Sequence, residues 1–127
     1  MGLDMYVRAK HPADENTTDG RGEEIQCWRK NNALHFWMQE LYFKRLGKPD
    51  YTEEDARAFN CKDIQLFVDD IFQLQRDILQ NKMTPSSGVF LGKMEYDKYQ
   101  QSHDLEFCGK ALGYLNSGYE IFYDSWW

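Results

Sequence analysis

The chain has 127 residues, 15 Lys and Arg against 21 Asp and Glu, a formal net charge of −6 and an aromatic complement of 4 Trp, 8 Tyr and 8 Phe. With 42% apolar residues and only 3 Pro, it reads as one globular domain, 1–127, and not as a disordered segment. The acidic balance argues against a broad contact with a phosphate backbone, which excludes duplex nucleic acid as the expected partner.

Leu3 to Ala9 alternates Leu3, Met5, Val7 and Ala9 with Asp4, Tyr6 and Arg8, the period of two of a half-buried strand. His11 to Gly22 holds Pro, Asp, Asn, Thr and Gly and little to bury, which predicts a long surface loop. Glu24 to Trp28 is a short second strand. It leads into a helix from about Lys30 to Leu46, terminated by Gly47 and Pro49. Lys48 to Phe59 is polar and acidic, with Thr52-Glu53-Glu54-Asp55 suited to capping one short helical turn.

Asn60 and Asp63 suggest a helix start, and Ile64, Phe67, Val68, Ile71, Leu74 and Ile78 recur at helical spacing, so a second helix is expected over about 61–81. Thr84 to Gly92 is turn-rich around Val89-Phe90-Leu91, a candidate short strand. Tyr96 to Asn116 reads as a third helix and Tyr119 to Trp126 as a last strand. The expected fold class is α+β: three main helices packed on a small antiparallel sheet.

The first helix carries two stripes. Leu34, Trp37, Met38 and Leu41 form an ordinary core side, whereas Trp28, Asn32, His35, Gln39 and Tyr42 fall within roughly 80° of one another on an adjacent side, flanked by Arg29 and Phe36. Aromatic faces stack on planar ligands, Arg forks onto phosphate, and amide or imidazole groups read polar edges, so this stripe matches the wall of a nucleotide-sized pocket. The competing reading is a hydrogen-bonded boundary layer of the core.

Pro85-Ser86-Ser87-Gly88, followed by Gly92, is a second candidate, because glycine lets backbone N–H groups approach an anion and serine hydroxyls add donors. Trp126, at an aromatic end, closes the core or lines a pocket or a subunit interface. No catalytic or metal-ligating set stands out. His11, His35 and His103 lack metal spacing, and Cys27 with His35 as its base spans a strand–helix junction.

Cys27, Cys61 and Cys108 are odd in number and form no CxxC pair, which points to a reducing compartment. The first residues have neither the basic start of a signal peptide nor the Ser or Thr at position 6 of a myristoylation signal, and no apolar run approaches the ~20 residues needed to span a bilayer. A cytoplasmic location with no membrane partner is expected.

Several strings, taken in order, resemble a family of small phage and bacterial proteins. They are Gly2-Leu3-Asp4-Met5-Tyr6, the stretch Trp28-Arg29-Lys30-Asn31-Asn32-Ala33-Leu34-His35-Phe36-Trp37, the segment Ser87-Gly88-Val89-Phe90-Leu91-Gly92 with Glu95-Tyr96-Asp97, and the ending Tyr123-Asp124-Ser125-Trp126. The phosphoglycerate kinase activity attributed to some members does not fit, since that enzyme is several times longer. Cys27 stands where the family often has Tyr.

The resemblance implies a phage or prophage setting and makes Trp28, Arg29, Lys30, Asn32, His35, Trp37, Ser87, Gly88, Tyr96, Tyr123 and Trp126 the family's motif positions, without assigning them a role. The stripe, the Ser87-Gly88 loop and the aromatic end make Trp28, Arg29, Asn32, His35, Ser87, Gly88, Tyr96 and Trp126 the expected ligand-binding residues. The expected function is sequestration of a nucleotide-like ligand or immune signalling nucleotide, an anti-defence role with no catalytic residue, metal or cofactor. The alternatives are a nucleotide phosphoesterase or transferase using His35 as acid or base with Arg29 on phosphate, and an inhibitor docking on a host defence protein through acidic residues such as Asp69 and Asp70. A homo-oligomer is compatible with each.

Overall fold

The computed structural model describes residues 3–11, 22–83 and 97–127. Its elements run β1 (Asp4–Lys10), β2 (Glu23–Arg29), α1 (Asn32–Arg45), α2 (Glu53–Ala58), β3 (Ile64–Leu66), α3 (Val68–Leu79), α4 (Lys98–Asn116) and β4 (Glu120–Trp126). The four strands form one sheet in the order β2-β1-β4-β3 with every neighbouring pair antiparallel. This is the expected α+β architecture, with β1 and β4 at its centre.

Alternation decides which way the central strands face. Leu3, Met5, Val7 and Ala9 are buried, as are Ile121, Tyr123 and Ser125, while the residues between them on both strands stay partly or largely exposed. In β2 the phase slips. The β1–β2 register shifts between Val7 and Arg8, leaving Ile25 as an extra residue, so Ile25 and Trp28 are both buried although three positions apart. Gly22 precedes this strand at φ +86, where a Cβ would lie 2.4 Å from the Ala9 carbonyl oxygen; only glycine fits there.

α1 begins at Asn32 because Lys30 is left-handed at φ 59 and the Asn31 side chain caps the helix, accepting from the Leu34 N–H at 3.2 Å. Gly47, at φ +73, ends it. Lys48 N–H donates to Phe43 C=O at 2.9 Å and Gly47 N–H to Lys44 C=O at 3.1 Å, the paired closure of a Schellman turn. The Thr52–Asp55 capping pair does form a short helix, α2, and the hydrogen bond from the Thr52 backbone holds the Asp55 carboxyl below its ordinary value.

The helix expected over 61–81 is corrected at its first third. Cys61 takes φ 64 and donates its N–H to Ser125 C=O at 2.8 Å, which carries the chain into β3 alongside β4. Ile64 and Leu66 are buried at a spacing of two, while Phe67 and Val68, expected in the core, are exposed. α3 starts only after that, with the Asp70 side chain accepting from the Phe67 N–H at 2.8 Å. Its Ile71, Leu74 and Ile78 are fully buried. Among the described residues the three main helices are therefore α1, α3 and α4, with α2 as the short fourth. α4 begins at Lys98, capped by the Asp97 side chain.

The expected loop between His11 and Gly22 lies, at 12–21, outside the described residues. So do the Pro85-Ser86-Ser87-Gly88 loop and the Val89-Phe90-Leu91 strand.

Candidate functional site

The sheet separates the predicted site residues. Trp28, Asn32 and His35 lie on the helix-covered side, while Arg29 and Trp126 lie on the other, over which no element passes among the described residues. Ser87, Gly88 and Tyr96 fall outside the described residues.

On the covered side, Trp28 belongs to β2 and not to α1, so the expected stripe is not a single helix face. Its indole Nε1–H donates to the buried Asp104 carboxyl at 2.9 Å, and Asn31 Nδ2 donates to both oxygens of the same group at 3.1 and 3.0 Å. The indole also meets Phe107 edge-on, with ring centroids 4.9 Å apart. These bonds tie β2, the start of α1 and α4 into one node. Gln26 and His103, 2.7 Å apart, extend it toward the sheet edge.

His35 is wholly buried and its Nδ1 lies 2.7 Å from the Tyr123 hydroxyl. Phe59 and Trp127 pack on the imidazole, with ring centroids 5.4 and 5.9 Å away. Burial lowers the His35 pKa to about 4 and raises that of Tyr123 well above 10, so at neutral pH an uncharged imidazole faces an uncharged phenol. His35 Nε2 is buried without a hydrogen-bond partner among the described residues.

The rest of the stripe is polar core as well. Gln39 Nε2 donates to the Tyr51 hydroxyl at 2.9 Å, and that hydroxyl donates to Glu40 at 2.6 Å. Burial and the Glu40 carboxylate push the Tyr51 pKa up to about 12. Tyr42 packs against Phe59, and Asn32 is buried. Of the stripe, Trp28 is thus hydrogen-bonded to α4, His35 lies within hydrogen-bond distance of β4, and Gln39 is bonded to Tyr51. The Trp126 alternative resolves similarly: Trp127, its backbone held by Asn60 through bonds of 2.7 and 2.9 Å, packs inward on His35, while Trp126 points out.

The open side is built by register. Asp4 stands opposite Arg29 on one neighbouring strand and opposite Trp126 on the other. The Arg29 side chain, 80% exposed, brings Nε to 3.4 Å from Asp4 Oδ1, and Trp126 is 64% exposed. Tyr6 stands opposite both Cys27 and Asp124. Arg8 pairs with Asp124 at 2.8 Å, with its guanidinium 5.2 Å from the centre of the Tyr6 ring, and Phe122 lies opposite Arg8. Aromatic rings thus alternate with internally paired charges across the two central strands.

Tyr6, Arg8, Phe122 and Asp124 were not among the predicted site residues. The signal for them was present, because they are the outward positions of strands whose inward positions were identified correctly.

This separation bears on the catalytic alternative. His35 and Arg29 are on opposite sides of the sheet, and so are His35 and Cys27, which is exposed. An acid or base at His35 cannot reach a phosphate held by Arg29. Asp70, proposed as a docking acid, is committed to an ion pair with Arg45 and to capping α3, whereas Asp69 is exposed. An open depression of about 300 Å³ lies at Gly47 to Tyr51 and Asp55, beside the Tyr51 that bonds Gln39 of α1.

Among the described residues no three His, Cys, Asp or Glu side chains gather as a metal site, and no helix is long and apolar enough to cross a membrane. No family model, curated protein or solved structure matches the chain.

Proposed function

We propose that the chain is a binding protein that works through the open side of its sheet, and that its partner is a protein surface. The observation that carries this reading is Trp126, largely exposed beside the Arg29–Asp4 pair on the central strands. Exposing a large indole to water is unfavourable unless a ligand covers it, and Trp, Tyr and Arg are the side chains that dominate protein interfaces. Arg8 and Arg29 already face aspartates, so the surface is close to locally neutral, which favours a partner of mixed charge over a polyanion.

A second reading keeps the nucleotide-like ligand. Arg29 and Trp126 flank one residue, which offers a ring for a base and a guanidinium for a phosphate. In the phage setting that the resemblance implies, the first reading makes the chain an inhibitor of a host defence protein. The second makes it a sink for that system's signalling nucleotide, bound and not cleaved.

One experiment distinguishes them. The full chain and its Arg29→Glu/Trp126→Ala variant are used to capture proteins from a bacterial lysate, and both are screened by thermal shift against cyclic and linear nucleotides, with chromatography of each mixture afterwards. A protein retained by the wild type and lost with the variant supports the first reading. A nucleotide recovered intact that stabilises only the wild type supports the second. Partners captured equally by both proteins, with no nucleotide shift, would overturn the assignment to this surface.

A further inference from the structure

The outward side of α3 has a pattern that the open side of the sheet does not use. Val68, Phe72 and Leu79 are 42, 48 and 62% exposed, although Ile71, Leu74 and Ile78 of the same helix already fill the core. With the half-buried Gln75 counted between the exposed Val68, Phe72 and Leu79, the residues recur at intervals of four, three and four, the spacing that keeps a single seam turned toward a second helix. Asp69 and Arg76, both exposed, border this seam on one flank, seven residues apart and opposite in charge.

We infer that two copies of this chain meet along the seam, α3 against α3 and antiparallel. In that register Val68 packs on Leu79 of the second copy, and Phe72 packs on its Gln75. Asp69 then faces Arg76 of the second copy, and two-fold symmetry forms this charged contact twice. In a parallel two-fold arrangement this flank of one copy lies on the far side of the seam from the same flank of the other, so Asp69 and Arg76 would not meet and the complementary contact would be lost. Gln75, the one polar residue in the seam, fixes the register at some cost in affinity.

α3 has 12 residues and is about 18 Å long, so the contact is small and the dimer depends on concentration. The seam is on the helix side of the molecule, which leaves both open sheet faces free and makes the assembly bivalent toward its partner.

Sedimentation velocity on the full chain, from micromolar to near-millimolar concentration, tests this. The wild type shifts from monomer to dimer, and Phe72→Glu weakens association at least about tenfold while circular dichroism stays native. Asp69→Arg and Arg76→Asp each weaken it by about tenfold, and the double exchange Asp69→Arg/Arg76→Asp restores it. Trp126→Ala leaves it unchanged, which separates this contact from the sheet face. A monomer at every concentration, a dimer indifferent to Phe72→Glu, a dimer lost with Trp126→Ala, or a double exchange that fails to restore association would each overturn the inference.

Discussion

Along β4, Tyr123 and Ser125 turn inward to His35 and the core, while Phe122, Asp124 and Trp126 of the same seven residues turn to the open side. β1 divides in the same way, with Met5 and Val7 inside and Asp4, Tyr6 and Arg8 outside. Both sides of the sheet are rich in rings and polar groups. They differ in what those groups face: inside, Asp104 and His35 meet partners contributed by other elements, and outside, Arg29 and Trp126 extend into water. A polar or aromatic residue can therefore serve either specificity of packing or recognition, and burial distinguishes the two.

The contrast is broken most severely at Asp104. Replacing it by Ala leaves the Trp28 indole and the Asn31 amide as buried donors without this acceptor, at a cost of about 3–4 kcal/mol in urea unfolding. Asp104→Asn keeps an acceptor and should cost about half as much.

The second largest effect is a pH dependence of stability. His35 is expected to titrate near 6.5 when unfolded and at about 4 when folded. The unfolded chain therefore gains a proton, as pH falls, that the native chain does not accept. The stabilisation is full above the unfolded value, is lost as pH falls across that window, and amounts to about 3 kcal/mol. His35→Gln removes this part of the slope, so the difference between wild-type and variant urea midpoints from neutral pH down to about 4 is the test. Parallel pH profiles would show that the imidazole is not closed off as described.

On the open side the effects on stability are smaller. Arg8→Met breaks the partly buried pair with Asp124 but keeps much of the stem, and should cost about 1 kcal/mol. Trp126→Ala and Arg29→Glu should each change stability by less than about 0.5 kcal/mol while weakening partner binding by about 30-fold, the effect of removing an interface anchor worth about 2 kcal/mol.

Much of the fold was legible in the chain because alternation and helical periodicity are local. The two central strands, α1, the core stripe of α3 and the capping pair of α2 follow from residues close in sequence. β3 was missed because three residues are too few to establish a period, and Ile64, Phe67, Val68 and Ile71 also satisfy helical spacing.

The site was less legible for a different reason. Whether His35 faces solvent depends on Tyr123, 88 positions away, and Trp126 is brought close to Arg29 only by the pairing of both β2 and β4 with β1. No spacing within α1 encodes either fact. The sheet divides the aromatic and Arg residues of the motif region between its two sides, with Trp28 and His35 inside and Arg29 outside.

The most direct test of this account is to measure partner binding and unfolding midpoint together for Trp126→Ala and His35→Gln. Trp126→Ala should lose the partner at an unchanged midpoint, and His35→Gln should shift the midpoint while retaining the partner. If His35→Gln abolishes binding in a still-folded protein while Trp126→Ala binds normally, the working surface lies on the helix-covered side and the account is contradicted.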